Sequence, residues 1–292
     1  MKGRRRLRCR TMNVEAFAPA KVNLTLHVTG RRADGYHLLE SLVVFPDVGD
    51  RLSFAPADTL SLEVCGPLAD GVPTDGRNLC IRAAQLFGTG NGAHITLEKH
   101  LPHGAGIGGG SADAAATLRG LSALWGLPLP NAAEASALGA DVPVCLAAPK
   151  ARVMRGIGEV LEPAPSLPAF TMLLVNPRVE TPTGAIFAAL VARGGIENPP
   201  MPEMPAGFAG LAELALWLKR TRNDLEETAA DFAPIGAVKS AIEAQPGCAL
   251  ARMSGSGSTC FGIFASAGPA EAAAAAIRRA YPDWWVAVGA VS

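Results

Sequence analysis

Hydrophobic positions alternate from Lys21 to Val28. Val22, Leu24, Leu26 and Val28 share one face of an extended segment, and Lys21, Asn23, Thr25 and His27 project from the other. A second β-like run over 38–45 follows the turn signal Asp34-Gly35, so the two runs predict a hairpin. The spacing next predicts a helix over 78–87 and a strand over 93–98. Beyond a glycine-rich stretch, Leu118, Leu121 and Trp125 recur at the period of an amphipathic helix. A short helix over 132–138 is stopped by Gly139. Pro163, Pro165 and Pro168 precede a fresh strand over 171–175, which predicts a domain boundary between 170 and 171. A second proline-rich stretch, 199–205, reads as a surface loop or linker. The tail reads as strand 260–264, helix 269–280 and strand 285–291. This order fits an α+β layer rather than a helix bundle.

Composition narrows the class. The 292 residues are 49% hydrophobic and 18% charged, which excludes a disordered chain and allows a sizeable core without staples. Formal charge is zero, but residues 1–10 hold six basic residues and no acid. The remainder carries 20 basic against 26 acidic residues, a net of −6, which argues against nucleic acid as a partner of the folded body. An acidic body must hold an anionic ligand by local devices, such as helix N-termini and a few placed cations. Residues 1–11 read as an unstructured extension or a misassigned start ahead of Met12. Six scattered cysteines without a CxxC pair predict neither a disulfide framework nor a metal site and suit a reducing, cytoplasmic location. No apolar run is long enough to span a bilayer, so no membrane partner is expected.

The most informative stretch runs from Pro102 to Ala116. Gly104, Gly106, Gly108, Gly109 and Gly110 expose backbone N–H groups, and the helix opening beside Ser111 turns its positive dipole end into the same space. Together they predict a phosphate cradle that needs no net positive charge. Gly104-x-Gly106-x-x-Gly109 satisfies the dinucleotide spacing. However, Lys99-His100-Leu101-Pro102 separates it from the preceding strand, and no acid stands about 20 residues later. The Walker pattern fails because Gly110 occupies the lysine position before Ser111.

The string from Pro102 to Ala115 resembles the second motif of the GHMP kinase superfamily. Pro19-Ala20-Lys21-Val22-Asn23-Leu24 is similar to its first motif, and Met253-Ser254-Gly255-Ser256-Gly257-Ser258 to its third. Three further strings, Arg32 to His37, Leu138 to Pro143 and Arg222 to Glu226, are similar to the branch whose acceptor is a cytidine-diphosphate-linked polyol. The resemblance spans residues 19–258. It implies a two-domain α+β GHMP kinase fold, divided as 12–170 and 171–292, with the active site in the cleft between the domains. It also implies ATP as donor, Mg2+ as its counter-ion, a small-molecule cytidine-diphosphate substrate, and a monomer or weak homodimer.

Residue by residue, the resemblance assigns ATP to Pro102, Gly104, Ala105, Gly106, Ile107, Gly108, Gly109, Gly110, Ser111 and Ala112, with Lys99 nearby. Asn78 and Leu79 also align near the nucleotide. Asp141 takes the proton of the acceptor hydroxyl, and Lys21 holds the acceptor oxygen as phosphate moves. Asn23, Tyr36, His37, Thr183 and Phe187 match substrate-binding positions. The residues alone allow blander readings: Asp141 as a helix cap before Pro143, Lys21 as a solvated strand end, Phe187 as packing beside Ile186 and Leu190. Asp113 stands where asparagine is common in some relatives. Its carboxylate is unfavourable beside a triphosphate unless it faces a metal or turns away. The motifs specify no Mg2+ ligands. Alternatives are a superfamily kinase for homoserine, mevalonate or a sugar, which has no use for the Tyr36-His37 pair, and a non-catalytic sensor, which has none for Lys21 and Asp141.

Overall fold

The computed structural model describes residues 13–195 and 197–292, and the expectation for residues 1–11 lies outside them. The first part of the chain forms β1 (Val14–Pro19), β2 (Val22–Asn23), β3 (His27–Arg31), β4 (His37–Val44), β5 (Gly49–Pro56), β6 (Leu60–Cys65), α1 (Leu79–Leu86), β7 (Ala93–Glu98) and α2 (Gly109–Trp125). It continues through α3 (Ala132–Ser136), α4 (Val142–Leu146), β8 (Arg152–Arg155) and β9 (Val160–Pro163). The remainder is β10 (Phe170–Asn176), α5 (Thr183–Ala192), α6 (Leu211–Leu218), α7 (Glu226–Ala229), α8 (Ile235–Glu243), β11 (Leu250–Met253), β12 (Cys260–Phe264), α9 (Ala267–Ala280) and β13 (Trp285–Val291).

Among the described residues these strands make three sheets. One has the order β1-β5-β7-β6, a second β2-β4-β8-β9 with β3 also on β4, and a third β11-β12-β10-β13. Helices α1 and α2 cover the first sheet. Their shared core includes Phe54, Ile95, Leu97, Leu118 and Leu121. Helix α2 is lined with Ala112, Ala114, Ala115, Ala116 and Gly120, all buried, so it sits close to the sheet. A Cβ at Gly120 would fall 2.1 Å from the Phe54 ring, which fixes that position as glycine. A second core lies beneath α8 and α9 on the third sheet. A third joins the two halves of the chain, with Val22, Leu24, Leu42 and Ile107 against Met172, Leu174, Trp217 and Phe261. Apolar packing across the domain interface therefore sets the cleft above it.

Three predicted strands, 93–98, 260–264 and 285–291, have the observed bounds. The hairpin forms as β3 on β4, pairing His27 with Glu40 and Arg31 with His37, with a register slip between Val28 and Gly30. The segment 21–28 is not one strand. It breaks after Asn23, and Leu26 bridges in parallel to Asn223 of the other domain. Its polar face is also buried, with Lys21, Asn23, Thr25 and His27 all covered. Residues of both domains cover this polar side: Asp141 and Ser41 on Lys21 and Asn23, and Ser254, Met201 and Pro199 on Asn23, Thr25 and His27. Strands β8 and β9 lie just ahead of the proline-rich stretch in a region for which no strand was predicted, and β9 itself ends on Pro163.

Candidate active site in the interdomain cleft

A cavity of about 830 Å³ opens between the domains. Its floor is the glycine-rich loop. Gly104, Gly106 and Gly108 all have positive φ, and Gly108, at +64°, is the N-cap of α2. The amide of Ala112 already donates to the Gly108 carbonyl, at 2.8 Å. The amides of Gly109, Gly110 and Ser111 precede that first intrahelical bond and have no acceptor within the helix. They are the donors a phosphate would meet. A Cβ at Gly106 would lie 2.5 Å from the Gly257 carbonyl oxygen, so the two glycine loops touch backbone to backbone across the interface.

Pro102, Gly104, Ala105, Gly106, Gly108, Gly109, Gly110 and Ser111 line this cavity. Ile107 and Ala112 do not: their side chains are buried in the apolar cores on either side of the loop. The Ile107 carbonyl accepts from the amide of Lys21 instead, fixing the strand end to the loop. Asn78 caps α1 through the amide of Cys80, while Leu79 reaches the cavity.

Lys21 is 5% exposed, and its Nζ donates to Oδ2 of Asp141 at 2.9 Å. Asp141 occupies the N-cap position of α4, yet its side chain makes no capping hydrogen bond. The carboxylate is turned to the lysine and the cleft instead of the helix amides. Asn23 donates from Nδ2 to Ser41, and its amide donates to Ser254 Oγ. Its buried Oδ1 has no partner among the described residues, leaving an acceptor at the cavity wall.

Lys99 lines the same cavity in a different state. Its ammonium is 2.8 Å from Asp113 and is also paired with Asp50, and all three side chains are buried. Burial works against the Lys99 charge, but Asp113 and Asp50 outweigh it and hold the pKa above its usual value. Burial pushes the Asp113 carboxyl up to about 8, against the attraction of Lys99 and helped by Asp50. Asp50 further accepts the backbone amides of His100 and Leu101. The Lys99 charge is therefore committed beneath the loop. Asp113 has turned away from the cavity, resolving the conflict its sequence position raised.

At the other end, Tyr36 is 60% exposed on the cavity rim. The His37 and Phe187 rings stack with centroids 4.6 Å apart at 24°. His37 has a pKa below the usual imidazole value, through burial and then the nearby Arg31 charge, and its buried Nε2 has no partner among the described residues. Thr183, the first residue of α5, shares a 2.7 Å hydrogen bond with Ser256 of the third glycine motif. The cleft thus gathers Lys21, Asn23, Tyr36, His37, Asp141, Thr183 and Phe187 from separate elements. Sequence reasoning missed Arg31 and the apolar wall of Leu39, Met154, Ile157 and Val191. Nothing in their local pattern distinguishes them from ordinary strand and helix residues.

No cluster of three or more His, Cys, Asp or Glu side chains suited to a metal occurs among the described residues. The oxygen chemistry of the cavity, with Ser111 at the first turn of α2, fits an ion brought in on phosphate oxygens rather than a dedicated protein cage. No helix among the described residues is long and apolar enough to cross a membrane.

This fold and cleft define a GHMP kinase. The family profile described as GHMP kinases N terminal domain matches residues 78–148, and GHMP kinases C terminal matches 210–283. A 4-diphosphocytidyl-2-C-methyl-D-erythritol kinase of Cereibacter sphaeroides is 57% identical over 274 residues, covering 93% of this chain and 97% of the relative. The crystal structure of a 4-(cytidine 5'-diphospho)-2C-methyl-D-erythritol kinase superposes with a TM-score of 0.77 at 36% identity, covering 95% of this chain and 99% of the other. A homoserine kinase of Cytophaga hutchinsonii, at 16% identity and a TM-score of 0.61, covering 100% of this chain and 96% of the other, shares the fold alone. The chain belongs to the 4-diphosphocytidyl-2-C-methyl-D-erythritol kinases and is a small-molecule kinase that uses ATP as phosphoryl donor.

Proposed function

We propose that the chain transfers the γ-phosphoryl group of ATP to the 2-hydroxyl of 4-diphosphocytidyl-2-C-methyl-D-erythritol, releasing ADP and the 2-phosphate. The observation that carries the chemistry is the Lys21–Asp141 pair at 2.9 Å in the same cavity as the α2 N-terminus. The free amides of Gly109, Gly110 and Ser111 hold phosphate oxygens, and the helix dipole adds to their attraction. Asp141 accepts the proton of the acceptor hydroxyl as that oxygen attacks phosphorus. Lys21 holds the same oxygen and offsets the charge that moves during transfer. Asn23 positions the acceptor through its unpaired Oδ1.

The cytidine end of the acceptor binds at Tyr36, His37, Phe187 and Thr183, which line the same cavity as Asp141, and its binding orients the polyol there. The unpartnered His37 nitrogen supplies a hydrogen bond that stacking alone lacks. Mg2+, when bound, neutralises triphosphate charge, and Ser111 would hold it together with phosphate oxygens. We also place the domain division between residues 170 and 171, at the first residues of β10. The described cysteines, all unpaired, suit the reducing cytoplasm.

A coupled ADP-release assay tests this reading. Turnover must require the intact cytidine-diphosphate acceptor, and mevalonate or homoserine must not replace it. A protein that hydrolyses ATP at the same rate with and without that acceptor is not this kinase.

A further inference from the structure

The string Arg222-Asn223-Asp224-Leu225-Glu226 has no part in the proposed chemistry, although Leu225 borders the cavity. Its side chains are spent on two other segments. Asn223 is 7% exposed, and its Nδ2 donates to the carbonyls of Met253 and Gly255 at 2.9 and 2.8 Å. Its Oδ1 accepts the amide of Leu225 at 3.0 Å, so the amide group is fully used. Glu226 accepts the amide of Met253 at 2.8 Å and pairs with Lys239 of α8. These bonds grip the third glycine motif from outside the cleft.

The same string grips the segment that carries Lys21 and Asn23. The amide of Leu26 donates to the Arg222 carbonyl, that of Asp224 to the Leu26 carbonyl, and that of Val28 to the Asp224 carboxylate. On the cleft side, the third motif closes the circuit. Ser254 Oγ accepts from the amide of Asn23 and donates to the Gly106 carbonyl, both at 3.1 Å. The amide of Thr259 donates to the carbonyl of Ala105. One loop thus touches the acceptor strand and the phosphate loop, and Asn223 holds two of its carbonyls.

We propose that Asn223 is a positioning residue for phosphoryl transfer: through residues 253–255 it fixes the Lys21–Asn23 strand end against the phosphate loop. It touches neither nucleotide nor acceptor. Removing its amide leaves two buried carbonyls without a donor and frees the loop that separates the two reacting groups. Because in-line transfer is sensitive to displacements of an ångström, the effect falls on turnover more than on ground-state binding. The inference rests on the cleft being the phosphoryl-transfer site, and wild-type ADP release with the acceptor is measured first to establish that separately.

Steady-state kinetics of Asn223→Ala then tests the proposal. The expected result is a kcat lowered about 10- to 100-fold with the KM for ATP changed less than about threefold. Val238→Ala, at a buried α8 residue that does not line the cavity, serves as a comparison for stability loss with the brace intact and retains the wild-type kcat. Ser254→Ala cuts the same circuit at its cleft end with little change in volume, and the same split is expected. It carries the test if Asn223→Ala does not fold. A folded Asn223→Ala or Ser254→Ala enzyme with wild-type kcat overturns the proposal. So does a kcat loss in Asn223→Ala no larger than in Val238→Ala at matched melting temperature.

Discussion

Two lysines approach the phosphate loop from strand ends, and the protein treats them oppositely. Lys21 faces a single carboxylate that is itself 35% exposed at its side chain, so the pair has an open side toward the cavity. Lys99 also borders the cavity, but its side chain is 2% exposed and its ammonium is held by two buried carboxyl groups. The first arrangement leaves a cation and an acceptor available to a reacting hydroxyl. The second ties β5, the end of β7 and the N-terminal part of α2 together under the loop. Residue type and proximity to a glycine motif do not separate these roles. The number and burial of the partners does.

Substitutions can break this contrast in graded steps. Asp141→Asn should lower kcat by about 10²- to 10⁴-fold while ATP and acceptor still bind, measured by ADP release and by calorimetric titration. Unchanged turnover in a correctly folded enzyme would remove Asp141 from the mechanism. Lys99→Met leaves the buried Asp50 carboxylate and the Asp113 carboxyl group without their cation and should cost about 3–5 kcal/mol of folding stability, read from urea unfolding. If it instead folds normally and loses only ATP affinity, Lys99 contacts the nucleotide directly.

A smaller effect separates Asp113 from its partners. Its folded pKa is raised, so between about pH 4 and about 8 the folded chain holds a proton that the unfolded chain has released. The stability attached to that proton is present at acid pH and declines as pH rises toward 8. Asp113→Asn removes this slope, so its melting temperature should gain on the wild type as pH increases. A constant difference across that range would show that Asp113 stays ionised throughout. Smallest of all, Phe187→Ala should raise the acceptor KM about three- to tenfold with little change for ATP, as expected for one lost aromatic contact.

Much of this site is visible in the chain because its parts are local. The glycines at 104–110 need only backbone conformation and a following helix to make a cradle. Lys21 and Asn23 share a side by simple alternation. Strands over 93–98, 260–264 and 285–291 are bounded by clear breaks in pattern. What stays hidden depends on partners distant in sequence. Asp50 lies 49 residues before Lys99, and nothing near either predicts their pairing. The same holds for Asp141, whose local sequence resembles a cap and whose partner is 120 residues away. Burial of Thr25 and His27 required knowing that a second domain covers them. The apolar wall of Met154 and Ile157 comes from the unpredicted β8 and the turn after it.

The ring contact between His37 and Phe187 bears on how an acceptor enters. A planar base gripped between two rings needs two van der Waals layers, a gap of about 7 Å. With 4.6 Å between centroids, His37 and Phe187 are already in contact and leave no such slot between them. A pyrimidine must therefore dislodge His37 from Phe187 or settle against another surface such as the exposed Tyr36. In this arrangement the imidazole itself covers one face of Phe187.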